Sequence, residues 1–85
     1  MEITILYFAS LREALGVERE RVAVPESVGD VAALREWLRG RGEAWSAALD
    51  GGRAIRAAVD HAMAEPSTAL RAGCEVAFFP PVTGG

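Results

Sequence analysis

The chain ends on Pro80-Pro81-Val82-Thr83-Gly84-Gly85, and the chemistry legible in it is concentrated there. Gly84 and Gly85 carry no Cβ, so an arm ending on them can enter a channel too narrow for other side chains and bring the α-carboxylate to a reactive centre on another protein. A carboxylate does not transfer or accept groups at neutral pH without activation. Such an arm therefore implies ATP-dependent adenylation by a separate enzyme, then attack by a sulfur, nitrogen or oxygen nucleophile, with the chain itself as the carried substrate. No Gly-rich phosphate loop with its Lys occurs, which agrees with ATP being bound by that partner. The dipeptide alone is equally compatible with a frayed end.

The remaining side chains offer little catalysis. Cys74 is the single cysteine, so the chain forms no intramolecular disulfide and no cysteine-rich zinc site, and a reducing cytoplasmic location is expected. With no Lys and no evident His nearby to lower its pKa, Cys74 reads as a small strand hydrophobe rather than a reactive thiol. His61 is also alone, which removes His-pair metal sites and most His-activated nucleophiles, and it reads as a loop residue. Twelve acids against nine bases, every base an Arg, leave a net charge of −3 and argue against nucleic acid or an anionic membrane surface as partner. No basic and apolar leader opens the chain, and no apolar run is long enough to span a membrane.

An arm of this kind needs a body to present it. A length of 85 residues, 51% of them hydrophobic and 25% charged, suits one small folded core. The expected division is a single domain over 1–81 and a flexible arm over 82–85.

Residues 2–9 are β-branched and aromatic, with Ile3, Ile5 and Tyr7 on one parity and Thr4, Leu6 and Phe8 on the other, which predicts a first strand whose Ile3-Ile5-Tyr7 face is inward. Ser10-Leu11-Arg12-Glu13 has capping-box spacing and Gly16 supplies a left-handed stop, so a short helical turn is expected between them. Val17 to Val24 alternates apolar and charged residues, and its Arg19-Glu20-Arg21 run reads as a solvated strand face that discourages edge pairing. Ser27-Val28-Gly29-Asp30 repeats the cap pattern and opens the main helix, where Val31, Leu34 and Leu38 recur on one face with Trp37 beside them.

Glu43 to Leu49 suggests a further turn with Trp45 and Leu49 inward, and Asp50-Gly51-Gly52 is a turn signal. Ala54 to Val59, a short piece around His61 and Met63, and Cys74 to Phe79 complete the strands, the last ended by prolines that lack an N–H for the ladder. Two strands, a long helix and two or three further strands predict an α+β chain: a mixed sheet of about four to five strands with one main helix packed across it, first and last strands adjacent, as in the ubiquitin-like β-grasp fold.

Read as a unit, Glu75-Val-Ala-Phe-Phe-Pro-Pro-Val-Thr-Gly-Gly85 closely resembles the C-terminal signature of the small, sulfur-carrier subunits of molybdopterin synthase, the MoaD-like proteins. Leu6-Tyr7-Phe8-Ala9, Arg12-Glu13 and Gly16 are similar to that family's opening strand and turn; Trp45, Leu49 and Ala57-Ala58-Val59 occupy family-like positions. Cys74, where the family commonly has an acidic residue, and Asp60-His61, where it has an amide-rich segment, depart from the pattern without touching the tail.

The resemblance implies that an E1-like adenylating enzyme, using ATP and magnesium, activates the Gly85 carboxylate and that a persulfide sulfur donor converts it to a thiocarboxylate. It implies further that the arm of Val82, Thr83, Gly84 and Gly85 enters the active site of the large synthase subunit within a heterotetramer. There the sulfur goes onto cyclic pyranopterin monophosphate, two carriers supplying the two dithiolene sulfurs. The carrier binds no cofactor of its own, and catalytic side chains belong to the partner.

Strand parity adds a docking expectation. Glu75, Ala77 and Phe79 share one face of the last strand; with the first strand as its parallel neighbour, Phe8 and Phe79 lie on the outer face near the arm. An exposed aromatic pair costs solubility unless a partner covers it, so Phe8, Phe79 and the adjoining Pro80 are expected to meet the large subunit. Two other functions share such an arm: a carrier for thiamine or cysteine synthesis, and a ubiquitin-like modifier that forms isopeptide bonds through Gly85. The run Phe78 to Thr83 favours the molybdopterin branch. The absence of Lys prevents chains built on the protein's own side chains but does not exclude the modifier role.

Overall fold

The computed structural model describes residues 1–81. The expectations for Val82, Thr83, Gly84 and Gly85 lie outside the described residues. The elements follow in the order β1 (Glu2–Tyr7), α1 (Ala9–Leu15), β2 (Arg19–Ala23), α2 (Val31–Arg39), α3 (Glu43–Ala48), β3 (Arg56–Val59), β4 (Ala62–Ala64) and β5 (Glu75–Phe79). The strands form one five-stranded sheet in the order β2-β1-β5-β3-β4. β1 and β5 pair in parallel from Thr4 opposite Glu75 to Tyr7 opposite Phe78, and the other neighbours are antiparallel. The first and last strands thus lie side by side within the sheet, the topology of a β-grasp fold.

Parity decides the two faces. Ile3, Ile5 and Tyr7 of β1 and Val76 and Phe78 of β5 are buried on the inner face, where they meet Val31, Leu34 and Leu38 of α2 in one core cluster. Removing each large apolar side chain from water contributes about 1.5–3 kcal/mol. Leu49 at the end of α3 is fully buried, and Trp45 is half-buried against the same cluster. Arg35 of α2 donates through Nε to the Leu49 carbonyl at 2.8 Å and through its terminal nitrogen to that of Arg53 at 3.0 Å. It thereby fastens the helix to the turn in which the Asp50 carboxylate accepts from the Gly52 amide at 3.0 Å.

Both capping expectations shift. α1 begins at Ala9, directly after an extended Phe8, and no side chain caps it. The Phe8 amide still donates to the Phe78 carbonyl at 3.1 Å, so the chain stays in the ladder past β1 and must reverse at once, which places Ala9 at φ 53°. Ser10 consequently falls inside the first helical turn. Gly16 does end α1 in the left-handed region, at φ 70°, its amide bonded to the Arg12 carbonyl at 2.8 Å. At α2 the cap is Asp30, whose carboxylate accepts from the Ala33 amide at 2.8 Å, rather than Ser27. Val28 is drawn into the core and its amide bonds to the Pro25 carbonyl at 2.9 Å, so a separate turn precedes the helix and moves its start along the chain.

The charged run of β2 also divides by face. Glu20 stands opposite Ile5 on the inner side, accepting from the Tyr7 hydroxyl at 2.7 Å and from both terminal nitrogens of Arg41 at 2.8 and 3.0 Å. The Arg41 guanidinium lies 4.2 Å from the centre of the Trp45 ring, and Tyr7 meets Trp45 edge-on and stacks on Phe78. This clasp joins β1, β2 and α3. Burial by itself raises the Glu20 carboxyl, but the bonds from Arg41 and Tyr7 outweigh it and hold the group below its ordinary value. Burial, reinforced by the Glu20 charge, pushes the Tyr7 phenol upward.

A carboxyl depressed in the folded state stabilises the fold above its unfolded pKa and loses that contribution as the pH falls through the folded value. Glu20→Gln is therefore expected to lower the urea midpoint at neutral pH and to converge with the parent protein in acid. Unfolding curves at pH 7 and about 3 check this.

Candidate functional site

The outer face of the sheet carries an apolar row assembled from separate strands. Register sets Leu6 opposite Ala77 and Ala77 opposite Ala58, with Phe79 one step further along β5. Phe8, 46% exposed, adjoins this row where the chain leaves β1. Together Leu6, Phe8, Ala58, Ala77 and Phe79 line an open concavity of about 470 Å³, rimmed by Arg19, His61 and Glu75.

The rim is held by charge and by a tight turn. Glu75 lies 3.9 Å from the Arg19 guanidinium and 3.2 Å from Nε2 of His61. Its amide donates to the Asp60 carboxylate at 2.9 Å, while the Asp60 amide donates to the Glu75 carbonyl at 2.8 Å. Asp60 and His61 take φ values of 48° and 70°, the left-handed pair that a two-residue connection between β3 and β4 requires. Asp tolerates this region better than most residues because its short polar side chain bonds locally.

The structure brings Phe8 and Phe79 onto the same face. Pro80 follows β5 directly and is half-buried, and Pro81 lines a second groove on the helix side, between α2 and the β3–β4 hairpin. Val82, Thr83, Gly84 and Gly85, the arm itself, lie outside the described residues. Cys74 is buried at 4% exposure, as its reading as a small hydrophobe requires, but it precedes β5, which begins at Glu75. Among the described residues no cluster of His, Cys, Asp and Glu is arranged to hold a metal ion, and no helix is long and apolar enough to cross a membrane.

Sequence reasoning missed Ala58 and the Arg19–Glu75–His61 rim. The alternation of β3 carried the signal for Ala58, but its use depends on knowing that β3 and β5 are antiparallel neighbours. The rim joins residues from two strands and a turn, and no local spacing announces it.

The family model described as "ThiS family" matches residues 5–85, running through the terminal Gly84-Gly85. The chain belongs to the ThiS family. A curated relative from Escherichia coli (strain K12), the "Molybdopterin synthase sulfur carrier subunit", is 40% identical over 83 residues, covering 98% of this chain and 99% of its own. The protein of the same name from Haemophilus influenzae is 35% identical over 83 residues, with the same two coverages. Among solved structures, SAMP1 from Haloferax volcanii, a small archaeal modifier protein, superposes with a TM-score of 0.77 at 32% identity and covers 100% of both chains. The β-grasp body with adjacent β1 and β5 is thus shared with relatives that match nearly the whole chain.

The face assignment makes a direct demand on stability. Phe78→Ala, in the core, is expected to cost about 3–5 kcal/mol, whereas Phe79→Ala, half-exposed on the outer face, should cost a fraction of that. Paired denaturation curves measure both. Equal losses would place both rings in the core.

Proposed function

We propose that this protein is the sulfur carrier subunit of a molybdopterin synthase. The observation that carries the reading is near-full-length similarity to two curated proteins of that name, with the family match extending through Gly85. In this reading the Gly85 carboxylate attacks the α-phosphorus of ATP, held with magnesium on an E1-like adenylating enzyme, and releases pyrophosphate. The terminal sulfur of a persulfide donor then bonds to the acyl carbon as AMP departs, and a second thiol of the partner system attacks the donor sulfur, breaking the S–S bond to form a disulfide and leaving the thiocarboxylate at Gly85. The thiocarboxylate at the end of the Val82–Gly85 arm enters the active site of the large synthase subunit and gives its sulfur to cyclic pyranopterin monophosphate.

The body's part is presentation and recognition. The β5 strand precedes the arm in the chain with only Pro80 and Pro81 between them, and the concavity around Phe8 and Phe79 draws on β1, β3 and β5. We assign this face to the large subunit: its apolar floor suits a buried interface core, and Arg19, Glu75 and His61 suit a polar rim. Catalytic side chains belong to the partner enzymes. The lone buried cysteine fits the cytoplasm as the place of work.

The likeness to SAMP1 favours one second reading, a protein modifier joined to other proteins through Gly85. Intact mass separates the two. After incubation with ATP, the activating enzyme and a sulfur donor, the carrier gains the mass of one sulfur-for-oxygen exchange at Gly85, whereas a modifier yields covalent adducts with other proteins. Deleting Gly84 and Gly85 should abolish molybdenum-enzyme activity in cells; unchanged activity would sink the carrier assignment. Phe79→Ala should weaken binding to the large subunit by at least about tenfold, the effect of truncating a central aromatic anchor, with the far-ultraviolet circular dichroism unchanged.

A further inference from the structure

Activating a carboxylate endangers the protein that carries it. A glycyl adenylate acylates an amine or thiol that reaches it: the nitrogen or sulfur bonds to the acyl carbon, the carbon–oxygen bond to phosphate breaks, AMP departs with the electron pair, and the nucleophile sheds its proton. The protein groups most reactive toward such an acyl group at neutral pH are the Lys amine, the N-terminal amine and the Cys thiolate.

This chain withholds each of them. It contains no Lys; all nine of its cationic side chains are Arg, whose guanidinium stays charged. The α-amino group of Met1 donates to the Val24 carbonyl at 2.7 Å and lies 3.5 Å from the Glu26 carboxylate, while the Met1 carbonyl accepts from the Val24 amide at 2.8 Å. The terminal amine is thereby tied into the β1–β2 ladder. Cys74, the single thiol, is 4% exposed, and the arm contributes only Val82, Thr83, Gly84 and Gly85. His61 is exposed, but an acyl-imidazole returns to the carboxylate on reaction with water.

The cations are nonetheless put to use. Arg19 meets Glu75, Arg21 meets Glu2, Arg39 meets Glu36 and Arg41 meets Glu20, so Arg supplies the charge balance of the surface without an acylatable amine.

We propose that the body of this carrier is inert toward its own activated terminus, so that the acyl group passes only to a nucleophile supplied by a partner enzyme and carriers do not couple to one another. The inference rests on the function proposed above. Its test uses the full-length protein and an Arg53→Lys/Arg71→Lys variant, which preserves charge at two exposed positions. Each is incubated at high concentration with the adenylating enzyme, ATP and magnesium, without a sulfur donor, and a parallel sample receives hydroxylamine.

Both proteins should give the Gly85 hydroxamate with hydroxylamine. Without it, the parent should stay monomeric by intact mass, while the variant accumulates an amide of two chains less one water, mapped by peptide sequencing to position 53 or 71. Carrier–carrier amide in the parent at the variant's rate would overturn the inference, as would its absence from a variant that still yields hydroxamate. Hydroxamate from neither protein would instead strike at the carrier function, and the inference would fall with it.

Discussion

The parallel pairing of β1 with β5 is the constraint on which the rest of the molecule depends. Parallel neighbours cannot be joined by a tight turn, so everything between Tyr7 and Glu75 serves as one long crossover that must return the chain to its starting strand. The helix α2 lies on that route and supplies the apolar stripe that covers the inner face. The same pairing sets Leu6 beside Ala77 and keeps Phe8 in the ladder with Phe78, which assembles the outer apolar row next to the strand that leads into the arm.

Polar contacts then lock what apolar burial leaves adjustable. Glu20, Tyr7 and Arg41 form a satisfied network at the edge of the core, and Arg35 closes the end of α3 through three backbone carbonyls. Among the described residues no buried side-chain polar atom lacks a partner. Such contacts are directional, so they select one arrangement of α2 and α3 against the sheet where non-directional burial tolerates several.

Much of this order was legible in advance because it is local. The alternation of Ile3, Ile5 and Tyr7, the recurrence of Val31, Leu34 and Leu38, the left-handed stop at Gly16 and the terminal prolines each act within a few residues. The helix starts were less legible. Ser10 and Ser27 both have the right chemistry for a cap, yet a ladder bond at Phe8 and the burial of Val28 override them, since each is worth as much as a cap and arises elsewhere in the chain. Glu20 illustrates the same limit: its neighbours Arg19 and Arg21 are solvated, but strand parity turns Glu20 toward a hydroxyl and a guanidinium thirteen residues before and 21 after it.

By itself the sequence determined which side-chain chemistry is scarce, since it holds no Lys, one Cys and one His. It also determined which strand faces are apolar, because a period of two is written into each strand. The tertiary structure alone decided which of those faces come together. The concavity around Phe8 and Phe79 draws on β1, β3 and β5, and its rim sets Arg19, Glu75 and His61 side by side. Their adjacency is created by the parallel closure of the sheet, a contact between residues some seventy positions apart that no local spacing encodes.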